Sequence, residues 1–172
     1  MGLALFITSR RNKILMWLYV AGHELTHAFF AMLFRGKVSE IRITATEGGH
    51  IKTDRSNFVI TLAPYFFPFY TILAILIWAI LEWQFIDFTN NQRFWLYGTI
   101  GLTWLFHIGY TVWMLQREQT DIKVNGRLFS YTVILLINLL LISALLIVAS
   151  PAATFKNFAY DWWANLQSLI EI

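Results

Sequence analysis

Apolar residues run nearly unbroken through four stretches of about 20 positions, the length that crosses the hydrocarbon core of a bilayer. The first is Ile14–Phe34, with Arg10, Arg11 and Lys13 ahead of it and Arg35 and Lys37 behind. The second is Phe58–Trp83, interrupted by Pro64 and Pro68; the third is Phe94–Leu115; the fourth is Leu128–Ala149, ended by Ser150-Pro151. Trp83, Trp95, Trp113 and Tyr131 stand near the ends, where interfacial anchors belong. Between the first two stretches the period changes. Ser39–Thr44 and His50–Thr53 alternate polar and apolar residues around Glu47-Gly48-Gly49, which predicts a short β-hairpin over 39–53. From Thr154, Phe155, Phe158, Trp162, Leu166 and Leu169 recur at helical spacing, which predicts an amphipathic helix lying on the membrane surface. The expected fold is therefore an all-α membrane protein. It has about four transmembrane helices, a hairpin between the first and second, and a C-terminal interfacial helix. Residues 1–151 form the membrane-embedded domain and 152–172 the amphipathic tail.

Composition agrees with this pattern. The 172 residues are 58% hydrophobic and only 13% charged, against roughly 45–50% and 25% in a soluble domain. The formal net charge of +3 comes from dispersed basic residues. Nucleic acid would call for a dense basic face, so it is excluded as a partner. The expected surroundings are a lipid bilayer and a multi-pass location in a cell or inner membrane. Lys and Arg number five between the first two spans and three between the last two, against five elsewhere. That bias favours a cytoplasmic hairpin and a cytoplasmic 116–127 loop. Met1–Ile7 has no basic leader or cleavage signature, so no signal peptide is read there. Phe6 stands where a myristoylation motif wants Ser or Thr.

The chemistry is concentrated in the first span, as Gly22-His23-Glu24-Leu25-Thr26-His27-Ala28. Residues four apart share one helix face, so His23 and His27 can grip a single zinc. Glu24 is turned about 100° from His23, placed to act on a zinc-activated water as general base instead of binding the metal. Each ionisable group at mid-span costs roughly 2.5–3.5 kcal/mol on insertion scales, which an idle span has no reason to carry. The chain has no cysteine, so a third ligand must be His, Asp or Glu. His50, Asp54, Glu82, Asp87, His107, Glu118 and Asp121 are the candidates. Asp121 opens the fourth span, although its composition also suits a loop acid paired with Lys123 or Arg127. His107, mid-way along the third span, is the rival; the alternative for it is a hydrogen bond or a supporting contact to the site.

A membrane-embedded His-Glu-x-x-His, followed by a hairpin, a proline-bearing span and a late Asp, resembles the site-2 protease family of intramembrane zinc metalloproteases. The resemblance covers most of residues 14–150. It implies His23, His27 and Asp121 as zinc ligands and Glu24 as catalytic base. Ala63-Pro64 stands at the family's Gly-Pro turn. Three positions depart from the family pattern: Thr120 and Ile122 flank the third ligand in place of Pro or Leu and of Gly, and Phe67 stands where an asparagine is usual. Because Asp121 lies near a membrane edge and the histidines lie deep, the 119–127 stretch must dip inward. Non-helical backbone at depth is tolerated only where it is buried in protein or lines a wet cavity.

The implied activity is hydrolysis of peptide bonds in a membrane protein substrate, with zinc as cofactor. An extended substrate could pair with the hairpin edge as it unwinds. The alternative from another class is a catalytically inactive zinc-binding membrane protein that serves as a partner or chaperone. Retention of Glu24 argues against that reading, since metal binding alone needs no base. A metal transporter would need ionisable groups on several spans, and spans two and four have almost none. Asn138 is expected to pack between helices, not to serve the site. Substrate-binding residues, the substrate itself and the oligomeric state are not legible in the sequence.

Overall fold

The computed structural model describes residues 12–44, 48–84, 90–149 and 154–170. The fold is mostly helical with one small antiparallel sheet. It divides into two compact units, Met1–Arg127 and Leu128–Ile172.

In the first unit, α1 (Lys13–Leu33) begins where the Asn12 side chain accepts from the Ile14 N–H at 2.9 Å, satisfying one of the helix's free donors. It ends in a tight reversal. Arg35 takes φ 60°, and the Gly36 N–H bonds back to the Ala31 carbonyl at 2.8 Å. A Cβ on Gly36 would meet that carbonyl and the Arg55 side chain at 2.9 Å, so only glycine closes this turn. The chain then enters β1 (Val38–Thr44), which pairs antiparallel with β2 (Gly48–Thr53), Ile41 opposite Ile51 and Arg42 opposite His50. The hairpin is where the alternation placed it; Glu47, read as part of its turn, lies outside the described residues.

The side chains of α1 are distributed the opposite way from a helix in water. Apart from Tyr19 and Val20 its buried side chains are small or polar, including Gly22, His23, Glu24, Thr26, His27, Ala28 and Ala31, while Ile14, Trp17, Phe29, Met32 and Leu33 are exposed. A soluble domain would put those large apolar groups inside. The small residues allow close approach. A Cβ on Gly22 would stand 2.8 Å from the Tyr70 ring, and the Tyr70 hydroxyl donates to the Leu18 carbonyl at 2.6 Å.

The second apolar stretch folds as two pieces, not one continuous helix. α2 (Phe58–Leu62), capped by Asn57, runs into a 3₁₀ turn, Ala63–Tyr65, and α3 (Phe69–Gln84) leaves at 79°. Pro64 and Pro68 lack the N–H that would carry an α-helix across the break. α4 (Asn90–Leu115) packs on α3, and its Tyr110 and Trp113 form a buried cluster with Tyr19 of α1. α5 (Thr120–Val124) is a single short turn of helix that buries Ile122. In the second unit, α6 (Arg127–Ala149) is followed by α7 (Phe155–Ile170), the helix expected from the C-terminal periodicity. Ser150-Pro151 falls outside the described residues.

Among the described residues, Arg127–Ile147 alone is a single helix long and apolar enough to span a membrane; the bent pair Phe58–Tyr65 plus Phe69–Gln84 passes if taken as one span. The polar motif of α1, and the Gln92, Arg93, Thr and Gly residues of α4, dilute their hydropathy.

One side-chain bond ties α5 to the bend. The Asn125 amide donates to the Thr61 hydroxyl at 2.6 Å and to the Asp121 carbonyl at 3.2 Å. Asn125→Ala removes both, and a hydrogen bond of this kind contributes about 1 kcal/mol. The expected result is a lower thermal unfolding midpoint in detergent. An unchanged midpoint would mean that the burial of Ile122 and the Tyr65–Asp121 hydrogen bond hold α5 without it.

Candidate metal centre

His23 and His27 stand one helical turn apart on α1, ring centroids 4.8 Å from each other, and both are buried. Their Nε2 atoms point at one carboxylate oxygen. Asp121 Oδ2 lies 3.6 Å from His23 Nε2 and 3.5 Å from His27 Nε2. The three side chains form the one group of His, Asp or Glu among the described residues whose donor atoms all fall within 4.8 Å. A tetrahedral zinc with bonds of about 2.0–2.1 Å separates its ligand atoms by about 3.4 Å. The donor types and spacing therefore fit zinc.

The bend between α2 and α3 supports this cluster from three directions. In an α-helix the Ile60 carbonyl would accept from residue 64, but Pro64 has no N–H to give. That carbonyl instead accepts from His27 Nδ1 at 2.7 Å. With the proton held on Nδ1, Nε2 is left as the lone-pair nitrogen facing Asp121. One residue beyond the proline, the Tyr65 hydroxyl donates to Asp121 Oδ2 at 3.0 Å. The Tyr65 ring also meets His23 edge to face, with centroids 5.1 Å apart.

Glu24 is 6% exposed and lies in the wall of a cavity of about 720 Å³ that also reaches His23, His27, Asp121, Gly49 and Arg117. The β2 backbone presses directly on it. A Cβ at Gly49 would stand 2.5 Å from Glu24 Cγ and 2.9 Å from the Arg42 carbonyl, so the hairpin can approach Glu24 only where it carries glycine. At the cavity wall the Arg117 guanidinium lies over the Trp113 ring, 3.9 Å from its centroid.

The other candidates from the sequence are elsewhere. His107 is buried beside His23 on α4 and is not a member of the three-residue cluster. His50 is on the exposed hairpin, 3.7 Å from Glu40. Asp54 Oδ1 accepts from the Lys37 N–H at 2.6 Å. Lys123 and Arg127, the expected partners of a loop Asp121, instead face Glu118 at 2.7 and 3.7 Å. Glu82 is exposed on α3, Asn138 donates to the Ile134 carbonyl at 2.8 Å, and Asp87 lies outside the described residues. Sequence reasoning missed Tyr65, the Ile60 carbonyl and Gly49. The Pro64 signal was present, since a proline four residues past a carbonyl announces a free acceptor.

Gly49→Ala should displace Glu24 or lift the hairpin while leaving both histidines in place. The expected outcome is a lower thermal unfolding midpoint in detergent, because the added methyl must push Glu24 or the hairpin aside. A parent-like midpoint would show that Glu24 tolerates the displacement.

The sequence matches the Peptidase M50B-like family over residues 1–108, a stretch that contains His23, Glu24 and His27 and ends before Asp121. No curated protein and no solved structure matches the chain. The match spans more than half of the 172 residues, and it agrees with the resemblance carried by the His-Glu-x-x-His helix and the proline bend: the chain belongs to the Peptidase M50B-like family, a site-2 protease family assignment.

Proposed function

We propose that this chain is an intramembrane zinc metalloprotease, with His23, His27 and Asp121 as ligands, Glu24 as general base and membrane-embedded proteins as substrates. The observation that supports it most is the convergence of His23 Nε2, His27 Nε2 and Asp121 Oδ2 beside a buried Glu24. Zinc held by these residues would supply Lewis acidity and make water a stronger nucleophile near neutral pH. Glu24 takes a proton from water as the water oxygen bonds the peptide carbonyl carbon, and gives that proton to the amine nitrogen as the C–N bond breaks. Tyr65 fixes the Asp121 carboxylate, and the Ile60 carbonyl fixes the His27 tautomer. Two neutral imidazoles and one carboxylate leave a site charge of about +1, easier to hold at bilayer depth than the +2 of a three-histidine site.

In this reading α1, the α2–α3 pair, α4 and α6 cross the bilayer, with the hairpin and the 116–127 loop on the cytoplasmic side and α7 at the interface. The inverted burial of α1 supports a lipid-facing outer surface. A substrate helix must unwind before its carbonyls can be attacked, and the adjacent hairpin edge offers extended backbone a place to pair.

Two experiments test this proposal. Purified protein and its Glu24→Gln and Asp121→Ala variants can be assayed for zinc content and for cleavage of a model transmembrane substrate. Glu24→Gln should keep zinc and lose at least ~100-fold in hydrolysis, and Asp121→Ala should lose both; near-parent turnover in Glu24→Gln would end the mechanism. The chain has no cysteine, so single cysteines can map α1 in membranes. Positions 14–34 should resist a water-soluble maleimide, with slow labelling near His23 and His27 from one side only. Fast labelling throughout would place α1 in water.

A further inference from the structure

The two histidines of the cluster differ at the nitrogen that faces away from Asp121. His27 Nδ1 donates to the Ile60 carbonyl at 2.7 Å. His23 Nδ1 is buried and has no hydrogen-bond partner. An imidazole that binds metal through Nε2 keeps its proton on Nδ1, and such a proton is normally held by a carboxylate, a carbonyl or a water. Left unpaired in the interior, it is strongly unfavourable.

Beside His23 is a cavity of about 20 Å³ whose wall also includes Gly22, Thr26, Tyr70, Phe106 and His107. His107, 8% exposed, carries the complementary deficiency: its Nε2 is buried and likewise has no partner. Thr26 and Tyr70 do not supply it, because the Thr26 hydroxyl is committed to the Gly22 carbonyl at 2.7 Å and the Tyr70 hydroxyl to the Leu18 carbonyl at 2.6 Å; Tyr19, on the same wall, has a buried hydroxyl that can give a water there a third contact. The cavity has room for about one water, which needs at least two polar partners to reside there.

We propose that a single buried water bridges His23 Nδ1–H and His107 Nε2, making His107 a positioning residue for the metal centre. The water accepts from His23 and donates to His107, so His107 fixes the tautomer and ring orientation of His23 from a neighbouring helix, as the Ile60 carbonyl does for His27. The sequence offered His107 as a rival third ligand or as a supporting contact; two partnerless nitrogens on residues that line one water-sized space favour the second role. The inference rests on the reading of His23 as a zinc ligand.

Zinc affinity, measured by chelator competition in detergent on the parent, His107→Leu and His107→Gln, tests it. His107→Leu should weaken zinc binding about 10–100-fold, the usual effect of removing a partner behind a metal ligand. His107→Gln, whose amide oxygen can accept from the same water, should restore most of it. Parent-like affinity in His107→Leu would overturn the proposal, and so would equal weakening by Leu and Gln, which would mark a packing role. Should His107→Leu fail to fold, nitrogen-15 NMR of the zinc-loaded parent decides, since the chain has only four histidines. His23 is expected to be protonated at Nδ1 and His107 unprotonated at Nε2; a proton on His107 Nε2 would overturn the bridge. Failure of the parent to bind zinc would overturn the metal site and this inference together. Zinc binding by the parent with an indifferent His107→Leu would overturn this inference alone.

Discussion

Three ionisable side chains within five residues of an otherwise apolar helix demand compensation, and the bend at Ala63-Pro64-Tyr65 supplies most of it. Pro64 withholds the N–H that would have satisfied the Ile60 carbonyl, and that carbonyl holds His27. Tyr65 reaches Asp121 with its hydroxyl and His23 with its ring edge. With any other residue at position 64, a regular helix through residues 58–83 would consume the Ile60 carbonyl in its own ladder. The break that costs the second apolar stretch its continuity is thus what gives the metal cluster its orientation.

The same bend explains how a carboxylate from late in the chain meets two histidines from its beginning. α5 is only five residues long and has little intrinsic stability. Its position comes from Ile122 being buried and from Asn125 bonding Thr61 next to the bend. Asp121 therefore inherits its place from α2 as much as from its own helix. The hairpin completes the arrangement from the opposite side by laying Gly49 against Glu24. The orientation of His27 and the place of Glu24 are set by backbone features, a missing N–H and a missing Cβ, whereas Asp121 is held by side chains, Tyr65 directly and Asn125 through Thr61.

These features divide what could be read from the sequence from what could not. The hairpin, the helices and the His23-Glu24-x-x-His27 face follow from local periodicity, which is the information a single sequence carries most directly. The juxtaposition of Asp121 with the histidines spans about a hundred residues, and no local pattern specifies it; the family resemblance pointed to it where composition did not. Pro64 and Pro68 were visible as interruptions, but the 79° angle between the two helical pieces is not a property of local spacing. Tyr65 was invisible because a tyrosine among Phe66, Phe67 and Tyr70 has nothing in its spacing to distinguish it. Gly49 read as turn chemistry, and its contact with Glu24 emerges only when the hairpin is folded back on α1.

In the proposed site two imidazoles from α1 and one carboxylate from α5 share a zinc ion. X-ray absorption at the zinc edge of the purified, metal-loaded protein tests it most directly, because imidazole rings leave a distinct multiple-scattering signature. A first shell of nitrogen and oxygen at about 2.0–2.1 Å with the signature of two imidazoles is the expected result. Three imidazoles would put another histidine in the place assigned to Asp121, and a spectrum with none would show that the His23–His27 face does not bind the metal.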